Sequence, residues 1–334
     1  MKVVSLFSGC GGTDLGFHLA GHNIIYANDI DKTACETYKI NFPDVNVAVG
    51  DIRKIKSFPE GEILLGCYPC QGFSYAGKRE PEDSRNMLYL EFARALRAIK
   101  PKFFVVENVK GMLSISGQRI FKNMLKLFKR CGYRVSYKLL NAQDYGVPQN
   151  RERVFIVGVR KDINFDFQFP EKTNKVNYME DALDGLPRQK LKDISYSKYS
   201  YIYMSRNRKK EFNETSFTIQ AGGQHAPLHP KSCMMVKIKK DVCRFSGKRY
   251  RRLSYRECAR VQSFPDSFKF SGGLMERYKQ VGNAVPPLLS FMIASKIPIK
   301  IEDTKSELTS ASMDYLKIIS TEICNTAPIS DKLS

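Results

Sequence analysis

The chain has 334 residues, 43% hydrophobic and 26% charged, enough apolar content to bury a full core and to exclude a wholly disordered polypeptide. Its 54 lysines and arginines outnumber its 34 acidic residues, and a net charge of +20 points to a large polyanionic partner. No run approaches about 18 consecutive apolar residues, and Met1 leads straight into Val3-Val4-Ser5-Leu6-Phe7 without the parts of an export signal. No membrane association is expected, and a cytoplasmic location is. The nine cysteines fit reduced thiols rather than a disulfide framework. Cys67 and Cys70 form a C-x-x-C pair, which is half a zinc site without a second half, so no metal is expected. Pro69 between them and Gln71-Gly72 after them argue against a thioredoxin-like redox pair.

From Met1 to about Arg160 short apolar runs alternate with amphipathic stretches, which predicts an α/β architecture of βαβ units on a parallel sheet. Strands are expected at 3–7, 24–28, 45–49, 63–67, 103–107, 135–140 and 154–159. Helices are expected at 33–40, 88–99 and 120–129, where apolar residues recur at helical spacing. The first strand runs into Ser8-Gly9-Cys10-Gly11-Gly12-Thr13-Asp14-Leu15-Gly16, a glycine turn opening a helix, where a nucleotide-like ligand approaches bare backbone. A dinucleotide fingerprint starting at Gly9 needs glycine where Asp14 stands, and an acid there faces a pyrophosphate with the wrong charge, which disfavours a nicotinamide oxidoreductase. Asp29 ends the second strand 20 positions after Gly9, the place from which a carboxylate reaches ribose hydroxyls, and Asp51 follows the third strand. A nucleoside without phosphates fits this order best.

Farther along, the fourth strand ends in Gly66-Cys67-Tyr68-Pro69-Cys70-Gln71-Gly72-Phe73-Ser74 and the fifth in Glu107-Asn108-Val109, while Gln149-Asn150-Arg151-Glu152-Arg153 opens the seventh. Between Gly185 and Arg256 there are 18 lysines and arginines against 4 acids, a local excess of +14 interleaved with Tyr196, Tyr199, Tyr201, Tyr203, Phe212 and Phe217. One-sided charge with aromatics reads as a nucleic-acid surface rather than a solvated face. Helical character returns at 254–261 and 287–297, and the tail beyond Lys300 is polar and motif-free.

The glycine turn, Pro-Cys-Gln loop, Glu-Asn-Val strand end, Gln-x-Arg-x-Arg strand and final Gly-Asn-x-Val segment occur in the order of the DNA cytosine-C5 methyltransferase family, which the chain resembles from about Val3 to Leu289. The resemblance implies a Rossmann-like S-adenosyl-methionine-dependent methyltransferase sheet with a smaller, loop-rich target-recognition domain. It divides the chain into a catalytic and cofactor-binding domain at 1–162, the recognition domain at 163–250, a segment completing the catalytic domain at 251–300 and a tail at 301–334.

The chemistry accounts for these residue types. Carbon 5 of cytosine is a poor nucleophile, so a thiolate first adds at carbon 6 and converts the ring to an enamine; Cys70 is that nucleophile, and a buried structural cysteine is the competing reading. A thiol with pKa near 8.5 is only about 3% thiolate at pH 7, so adjacent positive charge is expected, with Arg153 as the candidate. Glu107, after the apolar run Phe103-Phe104-Val105-Val106, suits a desolvated carboxyl that protonates N3. The resemblance further implies that Arg153 holds the cytosine O2, that Arg151 lies near the same site and that Asn108 positions Glu107 or the base. A phosphate clamp stays open for both arginines, more for Arg151.

For the cofactor, the resemblance implies Phe7, Gly9 and Gly11 beside S-adenosyl-methionine, Asp29 on ribose, Ile30 against adenine, Asp51 with Ile52 at its amine, and Pro69, Leu88 and Asn283-Ala284-Val285 completing the pocket. For the substrate it implies duplex DNA with the target base flipped out, since the ring carbon is out of reach inside the helix. Gln71 and Ser74 join the DNA contacts. Arg206 and Arg208, in a segment resembling methyltransferases that act on GGCC, read guanine or hold phosphate, and Thr218 and Gln220 lie in a second such segment. Gln224 stands where that subgroup commonly has arginine, and glutamine pairs with adenine. A monomeric modification enzyme paired with a restriction endonuclease is expected; a tRNA cytosine methyltransferase and a catalytically silent DNA-binding protein are the alternatives.

Overall fold

A strand-sized apolar run opens the chain, and in the computed structural model, which describes residues 1–69, 87–115 and 117–301, it forms β1 (Lys2–Leu6), buried at four of its five positions. The runs that follow form β2 (Asn23–Asp29), β3 (Asn46–Val49), β4 (Ile63–Gly66), β5 (Phe103–Val109), β6 (Tyr133–Asn141) and β7 (Glu152–Arg160). Among the described residues these make a seven-stranded sheet in the order β3-β2-β1-β4-β5-β7-β6. The first five strands run parallel, as the expected α/β sheet requires, and β7 lies antiparallel to both β5 and β6. The stretch 142–151 between β6 and β7 holds only a one-turn 3-10 helix, and without a crossover helix two neighbouring strands have to run in opposite directions.

Helices α1 (Gly12–Leu19), α2 (Lys32–Asn41), α3 (Leu88–Ile99) and α4 (Gln118–Arg130) supply the connections. Asp31 caps α2 by accepting from Thr33 N at 3.1 Å and Ala34 N at 3.2 Å, satisfying two of the first-turn donors. In α4 the buried Phe121, Met124 and Phe128 fall on one face, which explains why a sequence carrying five cations and no acid still folds against the sheet. Phe104 of β5 meets Phe92 of α3, Phe128 of α4 and Tyr133 of β6, all edge-on with centroids 5.0–5.9 Å apart. These rings centre the core beneath the strand ends.

The chain divides into two compact units. Of the described residues, the first comprises those within 1–141, 152–171 and 290–301, and the second those within 142–151 and 172–289. In the first unit the late helix α8 (Pro287–Ala294) ties back to the opening turn, since Ser290 Oγ donates to Thr13 O at 2.7 Å and His22 Nε2 lies 3.4 Å from Ala294 O. The second unit is loop-rich and carries α5 (Met179–Leu183), the hairpin strands β8 (Met235–Lys239) and β9 (Val242–Phe245), α6 (Tyr255–Val261) and α7 (Leu274–Asn283). Among the described residues no helix is long and apolar enough to cross a membrane.

Candidate active site and its supporting residues

Beyond β1 the backbone reverses through Phe7 (φ 57°), Gly9 (φ 55°) and Gly11 (φ 94°) before α1 begins. A phenylalanine in the left-handed region holds strain of order 1–3 kcal/mol, which the surroundings must over-determine. They do so by pinning the turn to β2: Ser8 N donates to Asn28 O at 3.0 Å and Gly9 N to Asp29 Oδ2 at 2.8 Å. A Cβ on Gly11 would stand 2.7 Å from the Phe42 ring, so this glycine is required by packing. A Cβ on Gly9 would meet nothing within 4 Å, so there the turn presents open backbone.

The sheet edge beside this turn carries the predicted acids. Asp29 accepts from Gly9 N on one oxygen and from Asp31 N at 2.8 Å on the other; burial raises its pKa, opposed by these two bonds. Each oxygen retains further acceptor capacity. Ile30 is 69% exposed, an apolar side chain left uncovered beyond β2. Asp51 accepts from Arg53 N at 3.0 Å and pairs with its guanidinium at 2.6 Å, and these contacts lower its pKa. Ile52 turns its side chain into the core, while its carbonyl accepts from Arg94 Nη2 at 2.8 Å. Leu88 opens α3, half-buried against the same core.

Glu107 and Arg153 meet at the far end of β5. In the β5–β7 register Glu107 faces Phe155 and Arg153 faces Val109, so the two occupy diagonal positions on one face. Arg153 Nε stands 2.9 Å from Glu107 Oε1, and Arg153 Nη1 donates to its neighbour's carbonyl, Glu152 O, at 2.8 Å. Burial lowers the Arg153 pKa and Glu107 works against that shift. Asn108 is buried and donates through Nδ2 to Tyr68 O at 3.1 Å, while Val109 N donates to its Oδ1 at 2.8 Å. The tether grips the chain one residue before Pro69. Tyr68 is itself fixed, its hydroxyl donating to Met124 Sδ and its ring edge-on to Phe7 at 5.8 Å. Cys67 lies 3.2 Å from Thr13 Oγ1, with its thiol pKa raised by burial. Cys70, Gln71 and Ser74 lie outside the described residues, as does the tail from 302 on.

In the second unit Arg151 is 2% exposed, and its guanidinium donates to Ile219 O at 3.0 Å, Gly282 O at 3.0 Å and Ala284 O at 2.8 Å. Its guanidinium is thereby held on three backbone carbonyls. Gln149 assists by accepting from Ile219 N at 2.8 Å and donating to Gln262 Oε1 at 2.7 Å, and Gln262 donates to Val281 O at 2.7 Å. Gly282 runs against this loop so closely that a Cβ would lie 2.3 Å from Gln220 O. The predicted readers surround the same loop. Thr218 Oγ1 donates to Asn150 O at 2.6 Å, Gln220 is half-buried and Gln224 is exposed beside His225. Arg206 is exposed over the Tyr203 ring and Arg208 is half-buried over Phe217. Asn283 ends α7 exposed, Ala284 follows half-buried and Val285 is buried.

Several supports escaped the sequence reading. Asn28 donates to Ala48 O at 2.9 Å and Gly50 O at 3.0 Å, fixing the backbone that leads to Asp51. Arg252, 1% exposed, donates to Arg206 O and Ala226 O and so sets the Arg206 segment. Asp14 is wholly buried under the glycine turn, accepts from Tyr38 Oη at 2.8 Å and has its pKa raised by burial to about 6. Such roles carry no spacing signal; only the fold brings the carbonyls or rings to these side chains.

With this geometry in place, the profile of the C-5 cytosine-specific DNA methylases matches residues 1–298, and the chain belongs to that family. It is a DNA (cytosine-5)-methyltransferase. The type II methyltransferase M.BsuRI of Bacillus subtilis is 45% identical over 345 residues, covering 89% of this chain and 79% of the relative. M.FnuDI of Fusobacterium nucleatum is 46% identical over 330 residues, covering 91% and 96%. Among solved structures, a chain described as a DNA modification methyltransferase from an Escherichia coli prophage superposes with TM-score 0.70 at 26% identity, covering 89% of this chain and 98% of that one.

Proposed function

We propose that this enzyme is the modification methylase of a restriction–modification system, acting as a monomer on cytosine in a short duplex site, with S-adenosyl-methionine as methyl donor and a cognate endonuclease as its biological counterpart. Relatives named type II methyltransferases support the biological setting. The observation that carries the chemistry is the partly buried Glu107–Arg153 pair at the end of β5, next to the Asn108 tether on Tyr68.

The residues around the glycine turn fit the donor. Open backbone at Gly9, the uncovered Ile30 and the acceptor capacity of Asp29 suit the methionine end, the adenine and the ribose of a nucleoside without phosphates. Phe7, Gly11, Asp51, Ile52, Pro69 and Leu88 complete this set in the first unit. When bound, the donor supplies an electrophilic methyl group on a sulfonium.

The chain's own residues do the rest. The Cys70 thiolate adds to carbon 6, forming an S–C6 bond and moving the ring electrons toward N3. Glu107 meets that charge with a proton at N3, and Arg153, braced by Glu107, holds O2. After carbon 5 takes the methyl group, water removes its proton. The electrons of that C–H bond re-form the carbon 5–carbon 6 double bond as the S–C6 bond breaks and Cys70 leaves as thiolate, and N3 returns its proton to Glu107. The second unit, which contains residues 172–250 of the proposed recognition domain at 163–250, holds the duplex through Arg206, Arg208, Thr218, Gln220 and Gln224, while Gln71 and Ser74 act from the Cys70 loop. Incubation with labelled S-adenosyl-methionine and unmethylated DNA, followed by bisulfite sequencing, tests the assignment. Label confined to cytosine of one short motif supports it; label on tRNA and none on DNA overturns it.

A further inference from the structure

The hairpin of β8 and β9 has little core of its own. Only Met235 and Cys243 are buried, at 5% and 2% exposure, whereas Val236, Lys237, Ile238 and Lys239 are all exposed. The strands pair Met235 with Phe245, Val236 with Arg244 and Lys237 with Cys243, then slip at an irregularity before Lys239 meets Val242. A tight turn closes the tip, with Asp241 at φ 59°. Lys237, Lys239, Lys240, Arg244, Lys248 and Arg249 are exposed with one acid, Asp241, among them, and none pairs with an acid among the described residues.

Several other cations of this unit are used internally. Lys209 pairs with Glu211, Lys210 with Glu214 and Arg251 with Glu257, while Arg252 is buried on carbonyls. Six cations against one acid on the hairpin and the segment just after it repel each other and cost stability until a polyanion neutralises them. Exposed Met234, Val236 and Ile238 interleave with this charge, as do Tyr201, Ile202 and Tyr203 on the neighbouring segment. That segment is joined to the ribbon by Cys243 N donating to Tyr201 O at 2.7 Å, and it leads directly to Arg206, stacked over Tyr203. The ribbon is therefore continuous with the proposed base-reading segment. A two-stranded antiparallel ribbon fits the B-DNA major groove, where lysines meet phosphates and apolar side chains pack against sugars, contacts that carry no sequence information. Self-association would set one cationic ribbon against another, which disfavours a second copy as its occupant.

We propose that the β8–β9 ribbon, with residues 201–203 beside it, grips the duplex flanking the methylated site independently of its sequence. The proposal rests on the DNA substrate. It places sequence choice in the Arg206 and Thr218 segments and footprint length in the ribbon.

The test compares the wild type with the triple variant Lys237→Gln, Lys239→Gln, Lys240→Gln on two duplexes carrying one recognition site, about 10 and about 40 base pairs long, roughly one and four helical turns. All three lysines are exposed, so the variant is expected to fold. The wild type should bind the long duplex at least about ten-fold tighter than the short one, with a steeper salt dependence on the long. The variant should lose most of that gain, its slope of log K against log salt falling by about 2–3 on the long duplex, near 0.9 for each phosphate it no longer neutralises. Equal weakening on both lengths places the ribbon on the recognised site and overturns the proposal, as does an unchanged length ratio. Concentration-dependent dimerisation of the wild type that the variant lacks assigns the surface to self-association and also overturns it. Failure of the wild type to bind either duplex is a separate result, overturning the DNA reading beneath it.

Discussion

Arg153 Nε stands 2.9 Å from Glu107 Oε1, with the two side chains 15% and 11% exposed, so a cation and an anion are sheltered together at the end of β5. Glu107→Gln keeps the shape but removes both the proposed proton donor and the counter-charge of Arg153. Single-turnover methyl transfer should fall by about 10²–10⁴, with cofactor affinity unchanged and the thermal midpoint lowered. A rate within about three-fold of wild type would remove Glu107 from the chemistry.

Cys70→Ala deletes the proposed nucleophile. Transfer should drop to background, while affinity for a duplex containing the methylation motif remains, measured by fluorescence anisotropy. Residual turnover above background in a preparation free of wild type would contradict covalent addition at carbon 6.

Asp14 sets a pH dependence. Burial raises its folded-state pKa to about 6 from an ordinary value near 3.8, so the folded chain binds its proton more tightly than the unfolded chain does. The stability that this proton contributes is present below about pH 4 and is lost as pH rises through 6. Asp14→Asn retains an acceptor for Tyr38 and removes the titration. The variant should gain stability over wild type at pH 8, by up to about 3 kcal/mol, and the gain should vanish near pH 4. Thermal midpoints of both proteins across that range decide it; taking their difference cancels His22 and His229, whose pKa values burial lowers to about 4 in both.

Gly282→Ala places a methyl group against Gln220 and Ala221, where backbone rather than a movable side chain stands in the way. Overpacking of this kind should cost about 1–3 kcal/mol in denaturant unfolding. Methylation should spread from the preferred motif to near matches, because the displaced loop carries Thr218 and Gln220. Unaltered stability together with unaltered sequence choice would show that the contact relaxes freely.

The sheet was legible because buried strands announce themselves as short apolar runs: α3 matches its expected span of 88–99, and the seven strands fall within about two residues of theirs. The polarity of β7 was not, since apolar runs read the same in either direction and only the missing crossover helix decides. Glu107, Asn108 and Arg153 were visible as strand ends with unusual residues. The work of Arg151 was not, because an arginine that clamps Ile219, Gly282 and Ala284 and one that touches a substrate leave the same letter at the same spacing. Asn28, Arg94 and Arg252 were hidden for a related reason: their partners are backbone carbonyls, which every residue owns.

The hydrogen bond from Ser290 to Thr13 has a temporal meaning. The first unit borrows its last piece from a helix made hundreds of residues after its opening turn, so during synthesis that turn waits for a partner not yet translated. Local helices and the early strand pairs can form while the chain is still being made, but closure over this separation waits until Ser290 has been made. A newly made molecule therefore gains its donor site at the end of folding, and a truncation before Ser290 should leave the strands in place around an unsecured turn.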